Sequence, residues 1–391
     1  MFKVLFWDYT GVSAQWADEF LRKDAVEIIR TLRPDDNDQA EVVLRGEWNF
    51  LLIFERGTRE IFNDMLNTMR AINFSTENII FAGDFLSWLN NPLAVYALLK
   101  PSAQEIYHRY RNFYYNRDNH RYIAATAEGM HYVGTSADNG VILPTYIMEK
   151  NHVSDDMKRF HALSKKYYGT DDGAGYFLDL GANIGTTGLY FIKKLAPNLK
   201  LLAFEPDAEN FKMLRVNLIL NDMEDKATIV NCGLGDKFDE MTMYRDLGNP
   251  GHNNVTEPRG NVPTETIKIM PLDAYLAEHK IAAHEVKYIW IDTEGFEAQV
   301  LFGAKNLLAE NLVPVFMEFN PMVWSKTGNL DRLIDFLKTV GYTHYIWTRE
   351  LKQFGAEKLN PLERLREFKD STDWIGSLDD IFLVRVNNAI S

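Results

Sequence analysis

At 391 residues the chain exceeds a typical single domain and predicts two, with an ordinary globular balance of 46% hydrophobic and 25% charged residues. A net charge of −13 leaves no excess of lysine and arginine to neutralise phosphates, so no nucleic-acid partner is expected. The lone Cys232 excludes an intrachain disulfide, and no apolar run is long enough to span a bilayer; the expectation is a soluble, cytoplasmic protein without membrane insertion.

Residues 3–7 read as a strand that stops at Asp8. Residues 16–32 read as one helix, with Phe20, Leu21, Ile28 and Ile29 along one side. A strong strand at 48–55, a helix at 59–72, a short strand at 78–82 and a helix at 86–99 follow. This alternation predicts a small α/β layer with parallel strands, but its strand tips carry no glycine loop and name no ligand. Residues 107–117 interleave tyrosines with arginines, which can stack on bases or sugars. At helical spacing, such aromatics more often pack inside, and that reading is taken. The first domain is set at residues 1–118, with acceptor or partner binding as its candidate role, and the second at 119–391.

Residues 122–133 read as a hairpin turning at Glu128-Gly129, and 154–168 as an amphipathic helix with Met157, Phe160, Leu163 and Tyr167 inward. The stretch 176–180 is an apolar strand carrying Asp179. Gly181, Asn183 and Gly185 follow, and Leu189, Tyr190, Ile192 and Leu195 then recur at helical spacing. This is a strand, a glycine turn and a helix, where a ligand can lie against bare backbone and meet the free N–H groups of a helix start. The next strand, 201–205, ends in Glu205-Pro206. In doubly wound sheets an acid at this tip accepts hydrogen bonds from a ribose 2′-hydroxyl.

The G-x-G-x-x-G run of dinucleotide sites is absent, and Asp179 would repel a pyrophosphate. The same acid suits a ligand with a ribose, a cationic amino-acid end and no phosphate. S-adenosylmethionine is such a ligand, and the pattern looks like the cofactor turn of class I methyltransferases.

Further along, 207–220 reads as a helix and 227–231 as a strand. The turn 232–236 lies where an adenine would sit, so Gly233 and Leu234 are candidate backbone contacts; Asp236 is either an acceptor for the adenine amino group or a plain turn residue. Strands at 241–244 and 266–269 flank a polar insert whose one titratable base is His252. Strand 288–292 delivers Asp292 and then Glu294 and Glu297; strand 312–318 ends in Glu318. Asp292, Glu294 and Glu318 therefore face one cleft at the carboxyl ends of neighbouring strands. They, or His252, could take a proton from a hydroxyl, fix sugar hydroxyls, or hold a divalent metal, which is possible but not predicted. Glu297 is read as a cap of the following helix. A helix at 329–340 and strands at 342–347 and 381–386 complete a seven-stranded sheet.

The motifs 177–185, Phe204-Glu205-Pro206, 291–297 with 300–304, and Phe316-Met317-Glu318, in this order, resemble the FkbM family of S-adenosylmethionine-dependent methyltransferases over about residues 143–342. The resemblance implies an α/β class I methyltransferase fold and methyl transfer to hydroxyls of sugars, glycans or natural products. It also implies that Asp179, Gly181, Asn183 and Gly185 line the methionine end of the cofactor, that Glu205 holds its ribose, and that Glu294 fills the family's acidic loop position. It does not reach the first domain or fix the acceptor. A non-catalytic cofactor-binding scaffold and a nicotinamide-dependent oxidoreductase are the alternatives, and a homo-oligomer is possible.

Overall fold

The structure is a computed structural model that describes the chain except residues 34, 46, 55–77, 83–84, 117–118, 152, 247–248, 257–261, 349, 352–356, 370–378 and 387–391. The chain divides into two compact units, Met1–Asn119 and His120–Ser391.

In the first unit, β1 (Phe2–Asp8), β2 (Val26–Leu32), β3 (Phe50–Phe54) and β4 (Ile79–Phe81) form a parallel sheet in the order β2-β1-β3-β4. The helices are α1 (Ser13–Phe20), α2 (Gln39–Arg45), α3 (Phe85–Leu89), α4 (Pro92–Leu98) and α5 (Pro101–Asn116). Alternate residues of β1 enter two different clusters, Val4 and Phe6 on one face and Leu5 on the other, so the sheet is covered on both sides. The single helix expected over 16–32 is corrected: α1 stops at Phe20, Leu21 turns extended, and Val26–Leu32 is an edge strand beside β1. Val26, Ile28, Ile29 and Thr31 are β-branched and fit a strand better than a helix. The helix expected over 86–99 is broken at Asn91 by the proline that follows it, which disfavours helical backbone in the residue before. The helix expected at 59–72 lies outside the described residues. Along α5, Tyr107 and Phe113 are buried while Tyr115 is exposed.

The second unit opens with a hairpin, β5 (Tyr122–Ala127) and β6 (Met130–Thr135), followed by α6 (Ile142–Met148) and α7 (Ser154–Tyr168). Then come β7 (Tyr176–Leu180), α8 (Thr186–Tyr190), β8 (Lys200–Phe204), α9 (Ala208–Leu220), β9 (Ala227–Val230), β10 (Gly233–Leu234), β11 (Asp239–Tyr244), β12 (Thr264–Met270) and α10 (Leu272–Glu278). The chain continues through β13 (Val286–Ile291), α11 (Glu297–Phe302), α12 (Lys305–Glu310), β14 (Val315–Phe319), α13 (Pro321–Lys326), α14 (Asn329–Val340), β15 (His344–Trp347), β16 (Asn360–Pro361) and β17 (Asp379–Val384).

The main sheet has the order β16-β15-β17-β14-β13-β7-β8-β9. The expected count of seven is corrected to eight: the seven strands read from the sequence are joined at one edge by the two-residue β16. Its Pro361 donates no hydrogen bond and is tolerated only at such an edge. β7, β8, β9, β13 and β14 run parallel, and β17 is antiparallel to β14. Strand order turns back at β7, which has β8 on one side and β13 on the other; their carboxyl ends frame the crevice where ligands bind in open α/β sheets. One face of the sheet packs aromatic rings against Phe160 of α7, with Trp290 and Phe316 stacked 3.8 Å apart. A smaller sheet, β10-β12-β11, stands beside this crevice. Among the described residues no helix is long and apolar enough to cross a membrane.

Candidate functional site

The crevice is built by four strand ends. After β7 the backbone enters the left-handed region at Gly181 (φ +96°), Asn183 (φ +49°) and Gly185 (φ +88°). A Cβ on Gly181 would overlap the carbonyl oxygen of Asp292, so only glycine fits there. Asparagine is among the few other residues that visit this region, which suits position 183. Gly181 N–H and Ala182 N–H both donate to the Phe204 carbonyl, at 3.0 and 2.9 Å, tying the turn to the end of β8.

Glu205 is the centre of this corner. Its Oε2 accepts from Asn183 N–H and its Oε1 from Asp207 N–H, both at 2.8 Å. Asn231 Nδ2 donates to the carbonyls of Glu205 and Pro206 and fixes the turn from below. Each carboxylate oxygen keeps acceptor capacity for a further donor. Burial, together with the negative charges of Asp207 and Asp179, pushes Glu205 up to about 8.

Asp179 is placed differently. Its Oδ2 accepts from Gly188 N–H at 2.8 Å in the first turn of α8, and its Oδ1 is enclosed without a partner. Burial pushes it up to about 7, with the charge of Asp292 adding to the effect.

Among the described residues, a cavity at the crevice is lined by Gly181 and Asn183, Glu205 and Pro206, Cys232, Gly233 and Leu234, and Asp292, Thr293, Glu294 and Phe296. Met243, Ile267 and Ile269 of the smaller sheet give it an apolar wall, and Asn210, Pro250, Gly251, Asn253, Asn254 and Val255 complete it. Asp207 ties this insert to the sheet: it caps α9 through the N–H groups of Glu209 and Asn210, both at 2.8 Å. It also accepts from Arg245 Nε at 2.7 Å and Asn253 Nδ2 at 3.2 Å.

Of the residues expected from the sequence, Gly181, Asn183, Glu205, Gly233, Leu234, Asp292 and Glu294 thus meet on one wall. Asp179, Gly185, Asp236, His252 and Glu318 are not on it. Asp179 lies behind the turn, holding α8. A side chain on Gly185 would run into Leu189 and Leu214. Asp236 faces Arg332 at 3.8 Å. His252 Nε2 is 2.9 Å from Asn249 Nδ2. Glu318 stands on β14 one residue beyond Met317, the partner of Ile291, and so beside Asp292. The asparagines of the insert and the apolar wall were missed. The alternation of β11 and β12 was legible, but not that their inward face would cover the crevice.

The loop after β13 is bent tightly. Glu294 (φ +53°) and Gly295 (φ +96°) are left-handed in succession. A non-glycine residue held so stores about 1–3 kcal/mol of strain, an arrangement that clusters at functional sites. Glu297, fully buried, does not simply cap α11: its Oε1 gathers Thr293 N–H (3.0 Å), Thr293 Oγ1 (3.2 Å) and Gly295 N–H (3.0 Å). Trp324 Nε1 donates to the Gly295 carbonyl at 3.1 Å. The surrounding protein pushes Asp292 up, although its side chain is open to the cavity. Burial and the charges of Glu297, Asp292, Glu294 and Asp380 push Glu318 well up. Among the described residues no group of three or more histidine, cysteine, aspartate or glutamate side chains is arranged to hold a metal ion. Chemically, the cavity offers a carboxylate with spare acceptor capacity at Glu205, an apolar slot, and an acidic end formed by Asp292 and Glu294.

Residues 179–343 match the methyltransferase FkbM domain. A methyltransferase of Sordaria araneosa, sdnD, is 32% identical over 94 residues, which is 24% of this chain and 36% of that protein; the match spans about a third of the relative's length. The crystal structure of methyltransferase FkbM from Methylobacillus flagellatus KT aligns at 16% identity over 86% of this chain and 83% of that one, with a TM-score of 0.31. M. jannaschii TYW2 in complex with AdoMet aligns at 10% identity over 68% of this chain and 87% of that one, with a TM-score of 0.33. The family match and this relative together support an FkbM-family methyltransferase domain over residues 179–343.

Proposed function

We propose that the protein is an S-adenosylmethionine-dependent O-methyltransferase acting on a hydroxyl of a sugar, glycan or natural product, in a cytoplasmic setting that suits its single thiol. The observation that carries this reading is Glu205, clasped by two backbone N–H groups on the wall of a cavity whose other end is acidic. That combination fits a ribose diol at one end and a positive charge at the other.

Glu205 would hold the ribose hydroxyls, Gly233 and Leu234 the adenine edge, and Gly181 and Asn183 the amino-acid end. The side-chain Oδ1 of Asn183 is enclosed without a donor and suits an ammonium N–H. S-adenosylmethionine supplies an activated methyl group on a sulfonium. The chain's own part is to orient the acceptor hydroxyl and take its proton. Asp292 and Glu294, both on the wall, are the groups for this; a raised carboxyl is the better base.

Calorimetric titration with S-adenosylhomocysteine and, separately, with NAD tests the reading. Saturable binding of the first alone is expected. Binding of NAD alone would overturn it. Glu294→Gln is expected to keep binding and to lose methyl transfer across a panel of glycan and hydroxyl acceptors. Full transfer by this variant would remove Glu294 from the chemistry.

A further inference from the structure

Asp207 stands one residue before α9 and is fully buried, yet its two carboxylate oxygens serve different parts of the fold. Oδ1 accepts from the N–H groups of Glu209 and Asn210, both at 2.8 Å, and that alone completes a helix cap. Oδ2 accepts from Arg245 Nε at 2.7 Å and from Asn253 Nδ2 at 3.2 Å, with Arg245 Nη2 a longer 3.5 Å from Oδ1. Arg245 follows Tyr244, which exchanges two backbone hydrogen bonds with Asn254, at 2.7 and 3.1 Å. Asn253 is gripped at both ends of its amide, since its Oδ1 accepts from Asp246 N–H at 2.8 Å. Asn210, whose N–H the cap engages, also donates from Nδ2 to the Pro250 carbonyl at 3.3 Å. Pro250, Gly251, Asn253, Asn254 and Val255 all line the cavity, and Arg245 does not.

An N-cap needs no cation, and an uncharged residue serves as well. A buried carboxylate facing a guanidinium makes a stronger, charge-assisted tie, and here that tie is directed at the segment that walls the cavity. We propose that Arg245 is a positioning residue: through Asp207 Oδ2 it latches residues 250–255 to the start of α9, and so sets how tightly the cavity holds a nucleoside. Asn253 supplies the second tie to the same oxygen. Asp207 N–H reaches Glu205 Oε1 at 2.8 Å, so one residue fixes the wall and the Glu205 carboxylate together. Arg245 acts through Asp207 and is not a catalytic residue. The latch is a property of the ligand-free protein; its effect on affinity rests on the proposed cofactor reading.

The test compares the full wild-type chain with Arg245→Ala, Arg245→Lys, Asp207→Asn and the double variant of Arg245→Ala with Asp207→Asn. Asparagine caps a helix as well as aspartate does, so Asp207→Asn keeps α9 and turns an amide N–H towards Arg245 and Asn253, breaking the latch alone. Amide hydrogen exchange of the ligand-free proteins is read first. Exchange across residues 249–255 should rise about tenfold or more in Arg245→Ala and Asp207→Asn, with β7 and β13 unchanged. The double variant should lose no more than the larger single loss, because both changes remove the same tie, and Arg245→Lys should recover part of it. Unchanged exchange at 249–255, an equal rise in β7 and β13, additive losses, or a lysine variant no better than alanine would each overturn the latch. Calorimetry with S-adenosylhomocysteine is read second. Affinity should fall about tenfold in Arg245→Ala and Asp207→Asn; full affinity with a loosened wall would overturn the claim that the latch sets affinity. If the wild type itself does not bind, the cofactor reading falls and the affinity claim with it, while the exchange data still decide the latch.

Discussion

Both units place an aspartate at or near the end of a strand whose two neighbours run parallel to it, and the two acids are treated in opposite ways. In the first unit Asp8 Oδ1 accepts from Thr10 N–H, Thr10 Oγ1 and Gly11 N–H, and Oδ2 accepts from Ser13 N–H, at 2.8–3.0 Å. Burial works against its charge, but the Ser13 and Thr10 hydrogen bonds outweigh it and hold Asp8 down at about 2. In the second unit Asp179 receives one N–H, keeps one bare oxygen, and is pushed up to about 7. Asp8 is a finished structural acid that closes a turn. Asp179, with Glu205 nearby, belongs to a corner with too few donors to keep both acids ionised in the free protein. The difference lies in the number of donors that reach the carboxylate: similar strand-end positions, one in a parallel sheet and one in the parallel part of a mixed sheet, are treated in opposite ways.

The glycines in the two turns give the largest expected contrast. Gly181→Ala combines a left-handed backbone with overlap on Asp292, so it should cost about 3 kcal/mol or more and abolish nucleoside binding. Gly11→Ala shares the positive φ of +76° but meets nothing within 4 Å, so only the backbone term of about 1–2 kcal/mol remains. Thermal unfolding of the two full-length variants measures the gap; equal losses would mean that the close approach at Gly181 does not exist. Next in size is the contrast between the acids. Asp8→Ala strands three backbone N–H groups and should destabilise by about 2 kcal/mol without changing S-adenosylhomocysteine affinity. Glu205→Ala should weaken that affinity about tenfold or more, seen by calorimetry. Unchanged affinity would remove Glu205 from the ribose role.

Much of this was legible in the sequence because local pattern and final structure agree. The helices Ser154–Tyr168 and Asn329–Val340 coincide with the expected spans, each long enough for the apolar period to register. The β7–turn–α8 corner and Glu205 could be read because glycine and acid positions in such turns have specific backbone reasons. Residues 26–32 could not be, since Ile28 and Ile29 satisfy a helical stripe as easily as an edge strand, and in the structure both are exposed. The donor count at Asp179 was also hidden. Asp8 and Asp179 look alike in sequence, and only the folded turn decides how many N–H groups point at each. Likewise, Asn217 bonds Val133 N–H and the Ile184 carbonyl, contacts 84 and 33 residues away that no local pattern announces. The cavity wall from Met243, Ile267 and Ile269 has the same origin in long-range docking.

The smallest effect sharpens the comparison most directly, because it reads the two acid environments as opposite slopes of stability against pH. Asp179 and Glu205 rise from 3.8 and 4.5 to about 7 and about 8, so the folded protein binds more protons than the unfolded chain between those limits. Their contribution to stability is complete below about pH 4 and is lost as pH rises through about 7 to 8. Asp8 runs the other way: its contribution is present above 3.8 and is lost as pH falls towards about 2. The melting temperature of the ligand-free chain should therefore decline by a few degrees between about pH 5.5 and 8.5. Glu205→Gln and Asp179→Asn should each flatten that decline, whereas Asp8→Asn should alter only the acid limb. A wild-type melting temperature that holds or climbs across the neutral range would mean that Asp179 and Glu205 are ionised in the free protein. The corner would then be as fully compensated as Asp8, and the case for a cationic ligand would lose its electrostatic ground.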